Sequence, residues 1–407
     1  MKTAIVLAGT TAHIELIREL KNRSYYTVLI DYLSNPPAKR FADIHLQESS
    51  LDKEKVYEIA EEYHASMVIA TSVDQANSTA CYVLERMGLH RPYSYQTSLD
   101  VTNKWRMKSI MKENGIPTAR FQIISSPYDN LDIPLPVVVK PVDSYGSRGV
   151  RRVLSKKELP GCITEAISIS KTGEAIVEEF ISGIEAGVYA YVLHGKVHII
   201  LTSHRYTYES KDLDEIPCFA SSHPLVISPA LEEKLQEICD KSAEAFALDN
   251  TPLFLQVIII GNDIYVLELM PRLGGGQSAK LIKSMTGFDI ISAAVDSFAG
   301  VKPEIHFRKP EKIYVSNNVY TSSGVLGDFL NVEQLIDRKV IDEFSLIRSL
   351  GTKMPGDLTT GSRACNFWVN GDDWNSVLSR IEETIQTLDV VDIYGNSIMR
   401  KDIYVKE

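Results

Sequence analysis

Apolar and polar positions along this chain follow two different periods, and over the first 95 residues the two take turns. Thr3–Ala8 is an apolar run stopped by Gly9, Ala12–Leu20 repeats its apolar positions with helical spacing, and Tyr26–Ile30 is a second apolar run ending in Asp31. Asp52–Tyr63 reads as a charged amphipathic helix, Met67–Ala70 as a short buried strand, and Gln75–Met87 as a helix stopped by Gly88. Strand–helix alternation of this kind predicts a parallel sheet covered on both faces.

The pattern then changes. A helix is predicted from Asn103 to Glu113, ended by Gly115 and Pro117. The Pro-rich segment 127–136 leads into PVVV, Lys140, a loop holding Gly146 and Gly149, and a second β-prone stretch. Strand, flexible basic loop, strand suits a lid whose backbone N–H groups fold over phosphates while a strand lysine neutralises them. No GxxxxGK[ST] occurs, and no GxGxxG follows the first strand, so neither common phosphate loop is present. Glu174–Glu179 reads as a strand and Gly187–Leu201 as a hairpin turning at His194–Gly195. Residues 203–228 have weak periodicity and are expected to form a mobile loop. Pro229–Leu248 is a predicted helix. A second hairpin pairs Phe254–Ile260 with Ile264–Leu269 around Gly261–Asn262–Asp263. Helices are predicted over about 277–285, after Gly274–Gly276, and over 288–299. The last hundred residues mix short strands with one helix, Asp373–Thr387.

Length and charge narrow the function. A chain of 407 residues implies roughly two to four domains. A net charge of -10 with interspersed signs argues against nucleic acid as the main partner. The cysteines (Cys81, Cys162, Cys218, Cys239, Cys365) are scattered, with no CxxC pair, which fits buried thiols in a reducing cytosol. The N-terminal apolar run is too short for a signal peptide, and no run of about 18 apolar residues exists. A cytoplasmic protein with no membrane segment is therefore expected.

Several residues stand out as chemistry. Centring the second hairpin on Asn262 pairs Gln256 with Glu268 and Phe254 with Met270 on one face. Glu268 interrupts an otherwise apolar run, IYVLELMP, where a carboxylate is costly without a cation or donors. Mg²⁺ shared with nucleotide phosphates would supply one; a solvated hairpin face is the plainer reading. Arg272 precedes the three glycines and can clamp a carboxylate or phosphate, or form a surface ion pair. In VEEFISGIE, Glu178 can accept from an adenine amino group and Glu185 from ribose hydroxyls; an ordinary charged loop is the alternative. Lys104, alone, reads as a surface lysine. His194 and His198 lie in a strand pattern and read as no zinc pair. His204 and Arg205 are candidate anion contacts. No nucleophile–base arrangement can be picked from spacing.

Taken in order, these pieces resemble the ATP-grasp superfamily: a Lys104-bearing helix ending in NGIPTA, VVVKP with its Gly-rich lid, the hinge VEEFISGIE, FLQVIII, and LELMPRLGGG. The resemblance covers nearly the whole chain. It implies an α/β protein with a Rossmann-like parallel-sheet domain (1–95), a two-lobed α+β ATP-grasp domain (96–300; lid about 140–200, Mg/ATP hairpin about 250–276) and a small C-terminal α+β domain (301–407). Lys104 and Lys140 would contact ATP phosphates. The lid Ser144, Gly146, Ser147 and Gly149 would cover them, with Arg148 adding charge. Glu178, the backbone of Glu179, Phe180 and Ile181, and Glu185 would hold adenine and ribose. Glu268, with Gln256 where the family usually has an acid, would hold Mg²⁺, with Mn²⁺ as a substitute. Arg272 would hold the acceptor carboxylate or acyl phosphate. Met270 replaces a frequent Asn, as in amino-acid-ligase-like members. The activity implied is carboxylate–amine ligation of small molecules through an acyl phosphate. A bicarbonate-activating enzyme of the carboxyaminoimidazole-synthase type and a catalytically silent ATP-binding protein are the alternatives. The family is often dimeric, so a homodimer is among the states the resemblance allows.

Overall fold

A computed structural model describes residues 2–144, 148–208 and 217–404. The first unit runs β1 (Lys2–Leu7), α1 (Ala12–Asn22), β2 (Tyr25–Ile30), β3 (Ile44–Leu46), α2 (Lys53–Glu62), β4 (Ala65–Ile69) and α3 (Asp74–Arg86). Its four parallel strands stand in the order β3-β2-β1-β4, as strand–helix alternation predicts. Two short helices follow, α4 (Tyr95–Thr102) and α5 (Lys104–Glu113), capped by the side chains of Ser94 and Asn103.

A four-stranded antiparallel sheet comes next. It holds β5 (Phe121–Ile124), β6 (Val137–Pro141), β7 (Arg151–Val153) and β8 (Ala175–Glu179), covered by α6 (Leu159–Ile169). The remaining elements are β9 (Ile184–Leu193), β10 (Lys196–Thr207), β11 (Cys218–His223), α7 (Pro229–Ala245), β12 (Thr251–Ile260), β13 (Asp263–Met270), α8 (Ser278–Thr286), α9 (Ile290–Ala299), β14 (Ile313–Tyr320), β15 (Gly324–Leu330), α10 (Val332–Asp337), β16 (Glu343–Leu346), β17 (Lys353–Met354), β18 (Arg363–Gly371), α11 (Trp374–Thr387) and β19 (Asp389–Asp392). Eight of these strands form one sheet, β13-β12-β9-β10-β11-β14-β18-β16, so the antiparallel β11–β14 pairing joins strands from both sides of residue 300.

Burial explains the sequence patterns. Strands β9 and β12 are covered on both faces. Val188, Leu253 and Leu255 face Met107 and Leu235 in one core, while Tyr191 and Phe254 face Leu281 and Phe288 in another. That second core is continuous with Ile5, Leu16 and Val28 of the first sheet. Double coverage accounts for the unbroken apolar run FLQVIII. Each fully buried aliphatic side chain there contributes roughly 1.5–3 kcal/mol.

Two expectations change. Residues 203–228 are not one irregular loop: β10 continues to Thr207, and β11 spans Cys218–His223. The strand period is hidden because alternate positions such as Arg205 and Ser221 face a polar cleft, while Ala220 and Ser222 are buried. In the second hairpin, the turn has two residues, Gly261 and Asn262, so Ile260 pairs with Asp263. A bulge then absorbs one residue, Leu267, on β13 and restores the pairs Gln256–Glu268 and Phe254–Met270.

Candidate active site

The cleft lies between the first unit, the β5–β8 sheet and the long sheet, and holds about 590 Å³, within the range of small-molecule sites. Helix α5 buries one stripe: Lys104, Met107, Lys108 and Met111. That 3–4 spacing places two lysines on the inward face. Lys104 Nζ donates to the Ser144 carbonyl at 2.5 Å, where the glycine-containing loop begins. Ser144 Oγ donates to the Arg148 carbonyl, and Arg148 itself is exposed. Gly149 has φ +71°, and a Cβ there would lie 2.6 Å from Ile169 and 2.9 Å from Pro141, so the loop's return needs glycine. Gly146 and Ser147 lie outside the described residues.

Glu178 is 1 % exposed and stands between two lysines, 3.1 Å from Lys108 Nζ and 3.1 Å from Lys140 Nζ. Lys108 is fully buried and also donates to Thr118 Oγ1 at 2.8 Å. Burial works against all three charges. For Glu178 the two lysines outweigh it and lower the carboxyl pKa. For Lys140 the carboxylates of Glu178, Glu268 and Glu185 outweigh it and raise the pKa, whereas for Lys108 burial wins and lowers it. Glu178 Oε1 is itself buried, with Lys140 Nζ 3.1 Å away as its ion-pair partner. In the hinge, the N–H groups of Glu179 and Phe180 donate to the carbonyls of Arg120 and Pro136, and the Glu179 carboxylate pairs with Arg120. Among these hinge amides, that of Ile181 is the one left for a ligand.

Glu185 is differently placed than a lone ribose acceptor. Its Oε1 accepts from Arg205 Nε and from Gln256 Nε2, both at 2.6 Å. Gln256 thus donates its amide to Glu185 and stands opposite Glu268 in the hairpin register. Glu268 makes no side-chain hydrogen bond or ion pair among the described residues, although it faces the Lys140 and Arg272 charges. One free carboxylate plus one amide oxygen is a donor set that fits Mg²⁺, which takes few protein ligands and completes its shell with phosphates and water. Among the described residues no group of three or more His, Cys, Asp or Glu is arranged for a metal, so a site built by protein ligands alone is not what the cleft offers.

Arg272 is clamped by Asp74 of the first unit through two bonds, at 2.7 and 2.9 Å, and also donates to the Leu273 carbonyl and to Met270 Sδ. Met270 therefore supports Arg272. Burial opposes the guanidinium charge, and Asp74 and Glu268 raise its pKa above the ordinary value. The cysteines are free; burial pushes the thiols of Cys81, Cys239 and Cys365 up, away from nucleophilic use. His194 sits at a turn and His204 stacks on Tyr206, while Arg205 lines the cleft.

The sequence reading missed Lys108, Asp74, Arg348 and Arg363. Lys108 carried a signal, its i+4 spacing from Lys104 on an apolar stripe. Asp74 carried none, because its partner is 198 residues away. Arg348 and Arg363 lie on and before β18, in a region read only as mixed short strands.

Comparison with known proteins agrees with this geometry. Residues 133–280 match the family described as ATP-grasp domain. The D-alanine–D-alanine ligase of Carboxydothermus hydrogenoformans is 31% identical over 188 residues, 41% of this chain and 57% of that protein. The chain thus spans little more than half the length of that relative. The structure of an L-amino acid ligase from Bacillus licheniformis superposes with a TM-score of 0.79 at 17% identity, covering 96% of this chain and 99% of the other. That of an N5-carboxyaminoimidazole ribonucleotide synthetase from Thermotoga maritima gives 0.75 at 17%, covering 96% and 100%. These two likenesses establish the fold. Among the described residues no helix is long and apolar enough to cross a membrane. The match takes in the lid, the hinge and the Glu268 hairpin, so residues 133–280 of this chain are similar to an ATP-grasp domain.

Proposed function

We propose that this chain is an ATP-dependent carboxylate–amine ligase that activates a small-molecule acid, an amino acid among the candidates, as an acyl phosphate, releasing ADP and phosphate. The observation that carries this reading is the convergence of Lys104, Lys140 and the unpartnered Glu268 in one cleft beside the loop opening at Ser144. The names of the relatives, a D-alanine–D-alanine ligase and an L-amino acid ligase, support the reaction class.

In this reading Lys104 and Lys140 bind the triphosphate under the loop carrying Ser144, Gly146, Ser147 and Gly149. Glu178, the Ile181 amide and the hinge carbonyls take the adenine edge. Glu185 offers its second oxygen to the ribose. Glu268 and the Gln256 oxygen would hold Mg²⁺, which when bound screens charge on the phosphates. On a division into units 1–95, 96–300 and 301–407, all three would contribute residues to this cleft. An oxygen of the substrate carboxylate attacks the γ-phosphorus. The new O–P bond forms as the bond to the β–γ bridging oxygen breaks, and ADP leaves. An amine nitrogen then attacks the acyl carbon, phosphate departs with its electron pair, and the nitrogen loses a proton. The protein's work is positioning and charge compensation, with Arg272 held ready by Asp74.

A hydroxylamine-trapping screen tests this. Protein, Mg·ATP, hydroxylamine and a panel of amino acids and small acids are expected to yield ADP and hydroxamate together for at least one acid. ADP that depends on bicarbonate alone would transfer the chain to the carboxylase reading. Bound ATP with no ADP across the panel would leave a silent nucleotide-binding protein.

A further inference from the structure

Four arginines line the cleft: Arg205, Arg272, Arg348 and Arg363. Two have carboxylate partners within the chain, Glu185 for Arg205 and Asp74 for Arg272. The other two have none among the described residues. Arg363 donates through Nε to the Tyr320 hydroxyl at 2.7 Å and through Nη2 to the Cys218 carbonyl at 3.2 Å. Arg348 donates to the carbonyls of Gly361 at 3.4 Å and Thr360 at 3.3 Å. The acid in the adjoining loop, Asp357, accepts instead from Thr359 and Ser362.

Both guanidiniums are partly buried, and each acts on the other. Burial lowers the Arg348 pKa from its ordinary value; Tyr32 opposes this, and the Arg363 charge adds to the lowering by the smallest share. A guanidinium stays charged at any physiological pH, so two like charges face one cavity without a counter-ion among the described residues. That arrangement is costly unless something else supplies the anion. The wall beside them is polar, with Asn366 Nδ2 donating to Ser316 Oγ and Asn318 Oδ1. The residues come from β14, β18 and the segment between β16 and β18, across the cleft from the lid. The loop is held to the first unit where Thr11 donates to the Leu346 carbonyl at 2.9 Å.

We infer that Arg348 and Arg363 form a subsite for a second oxyanion of the substrate, a carboxylate or phosphate group remote from the reacting carboxyl. The substrate is then an acid bearing a further negative charge, such as a dicarboxylic or phosphorylated amino acid. This inference rests on the ligase reading for the identity of the ligand as substrate, but the anion site itself does not.

The test uses matched probes: L-aspartate against L-asparagine, and O-phospho-L-serine against L-serine. Each is titrated calorimetrically into the full chain without ATP. The anionic member of at least one pair is expected to bind about tenfold tighter or more, as for a charge-assisted bidentate contact. The pair showing the larger advantage identifies carboxylate or phosphate. That advantage should vanish in R348Q and in R363Q and persist in R338Q, which removes a surface arginine paired with Glu383. Because Arg363 ties β14 to β11, R363Q is checked by thermal unfolding. R363K, which keeps the charge and loses the fork, serves in its place if R363Q is unfolded, and a reduced advantage is then expected. Loss of the wild-type advantage in high salt is expected as well. Equal binding within both pairs, an advantage that survives both cleft substitutions, or no binding of either anionic probe overturns the subsite. Running the same acids through hydroxylamine trapping separates the two proposals. A titration advantage without hydroxamate sinks the ligase reading alone, whereas hydroxamate from neutral acids without a titration advantage sinks the subsite alone.

Discussion

The two ends of the cleft treat positive charge in opposite ways. Beside the lid and hairpin, Lys108 and Lys140 share Glu178, Arg205 has Glu185 and Arg272 has Asp74; Lys104, bound to a carbonyl, is the exception. At the far end Arg348 and Arg363 have, among the described residues, carbonyls and a phenol as partners. Most cations of the first end have carboxylate partners before any ligand arrives, so its dipoles need little rearrangement when phosphates enter. The second depends on the ligand for its counter-charge. Substitutions at the balanced end should therefore cost folding and chemistry, and those at the far end should cost ligand selection.

The largest effect expected is on stability, from Lys108→Met. It removes one of two cations from a carboxylate that is almost wholly buried, and breaking a buried pair costs about 3–5 kcal/mol. Urea unfolding reads this directly. R348Q, measured alongside, should lose less than about 1 kcal/mol, because it relieves repulsion as it gives up carbonyl bonds. If the two variants lose the same amount, the contrast between the ends is wrong.

Glu268→Gln separates chemistry from folding. Glu268 has no side-chain partner among the described residues, so its loss should leave the unfolding curve nearly unchanged. Turnover, read as ADP release, should fall about 10²–10³-fold, the scale of removing one transition-state charge contact. ATP affinity should change far less. Wild-type turnover in this variant would remove Glu268 from the proposed metal site.

How much of this was legible follows from distance along the chain. The parallel sheet, the lid strands and the Gln256–Glu268 pair came from periodicity and turn residues, which are local signals. The Gln256–Glu268 register came out right although the turn was read one residue too long, because the bulge at Leu267 compensates. Helix α4 was missed because its one buried residue is Ser98, leaving no apolar stripe to read. Strand β11 was missed because the positions it turns to the cleft, such as Ser221 and His223, are polar. The charge partners were invisible for a different reason: Asp74 meets Arg272 only once the first unit packs on the long sheet, and Glu185 meets Gln256 only once β9 and β12 pair. Residue types told which groups could do chemistry, and only the fold told which of them were already occupied.

Gln256→Glu probes the balanced end more finely. In the wild-type chain the neutral amide donates to Glu185 at 2.6 Å, so position 256 can sit against that carboxylate without repulsion. A glutamate there replaces a charge-assisted donor with a like charge, at a cost of about 2 kcal/mol in metal-free protein. Mg²⁺ with ADP should recover that loss, giving a larger rise in Tm than in wild type. A variant that is as stable as wild type without metal would show that Glu185 does not depend on the Gln256 donor.

The smallest effect concerns His223, which lines the cleft between the two ends. It is 2 % exposed, and its Nδ1 has no hydrogen-bond partner among the described residues. Burial lowers its pKa to about 3, with Arg205 adding to the shift and the Thr202 contact opposing it. The unfolded chain, with an ordinary histidine near 6.5, therefore binds this proton first. Between pH 6.5 and about 3 the unfolded state holds more protons, so stability is complete above that window and declines as pH falls through it. This one group should cost about 1.4 kcal/mol by pH 5.5. His13, also fully buried and lowered to about 4, gives a slope of the same sign, so the wild-type slope belongs to both. His223→Asn should flatten that slope by His223's share and leave His13's. The measurement is urea stability at pH 7.5 and 5.5 for wild type and variant. An unchanged difference between the two pH values would mean that His223 accepts its proton in the folded cleft, beside Arg205. The cleft would then tolerate one more cation than its charge balance allows.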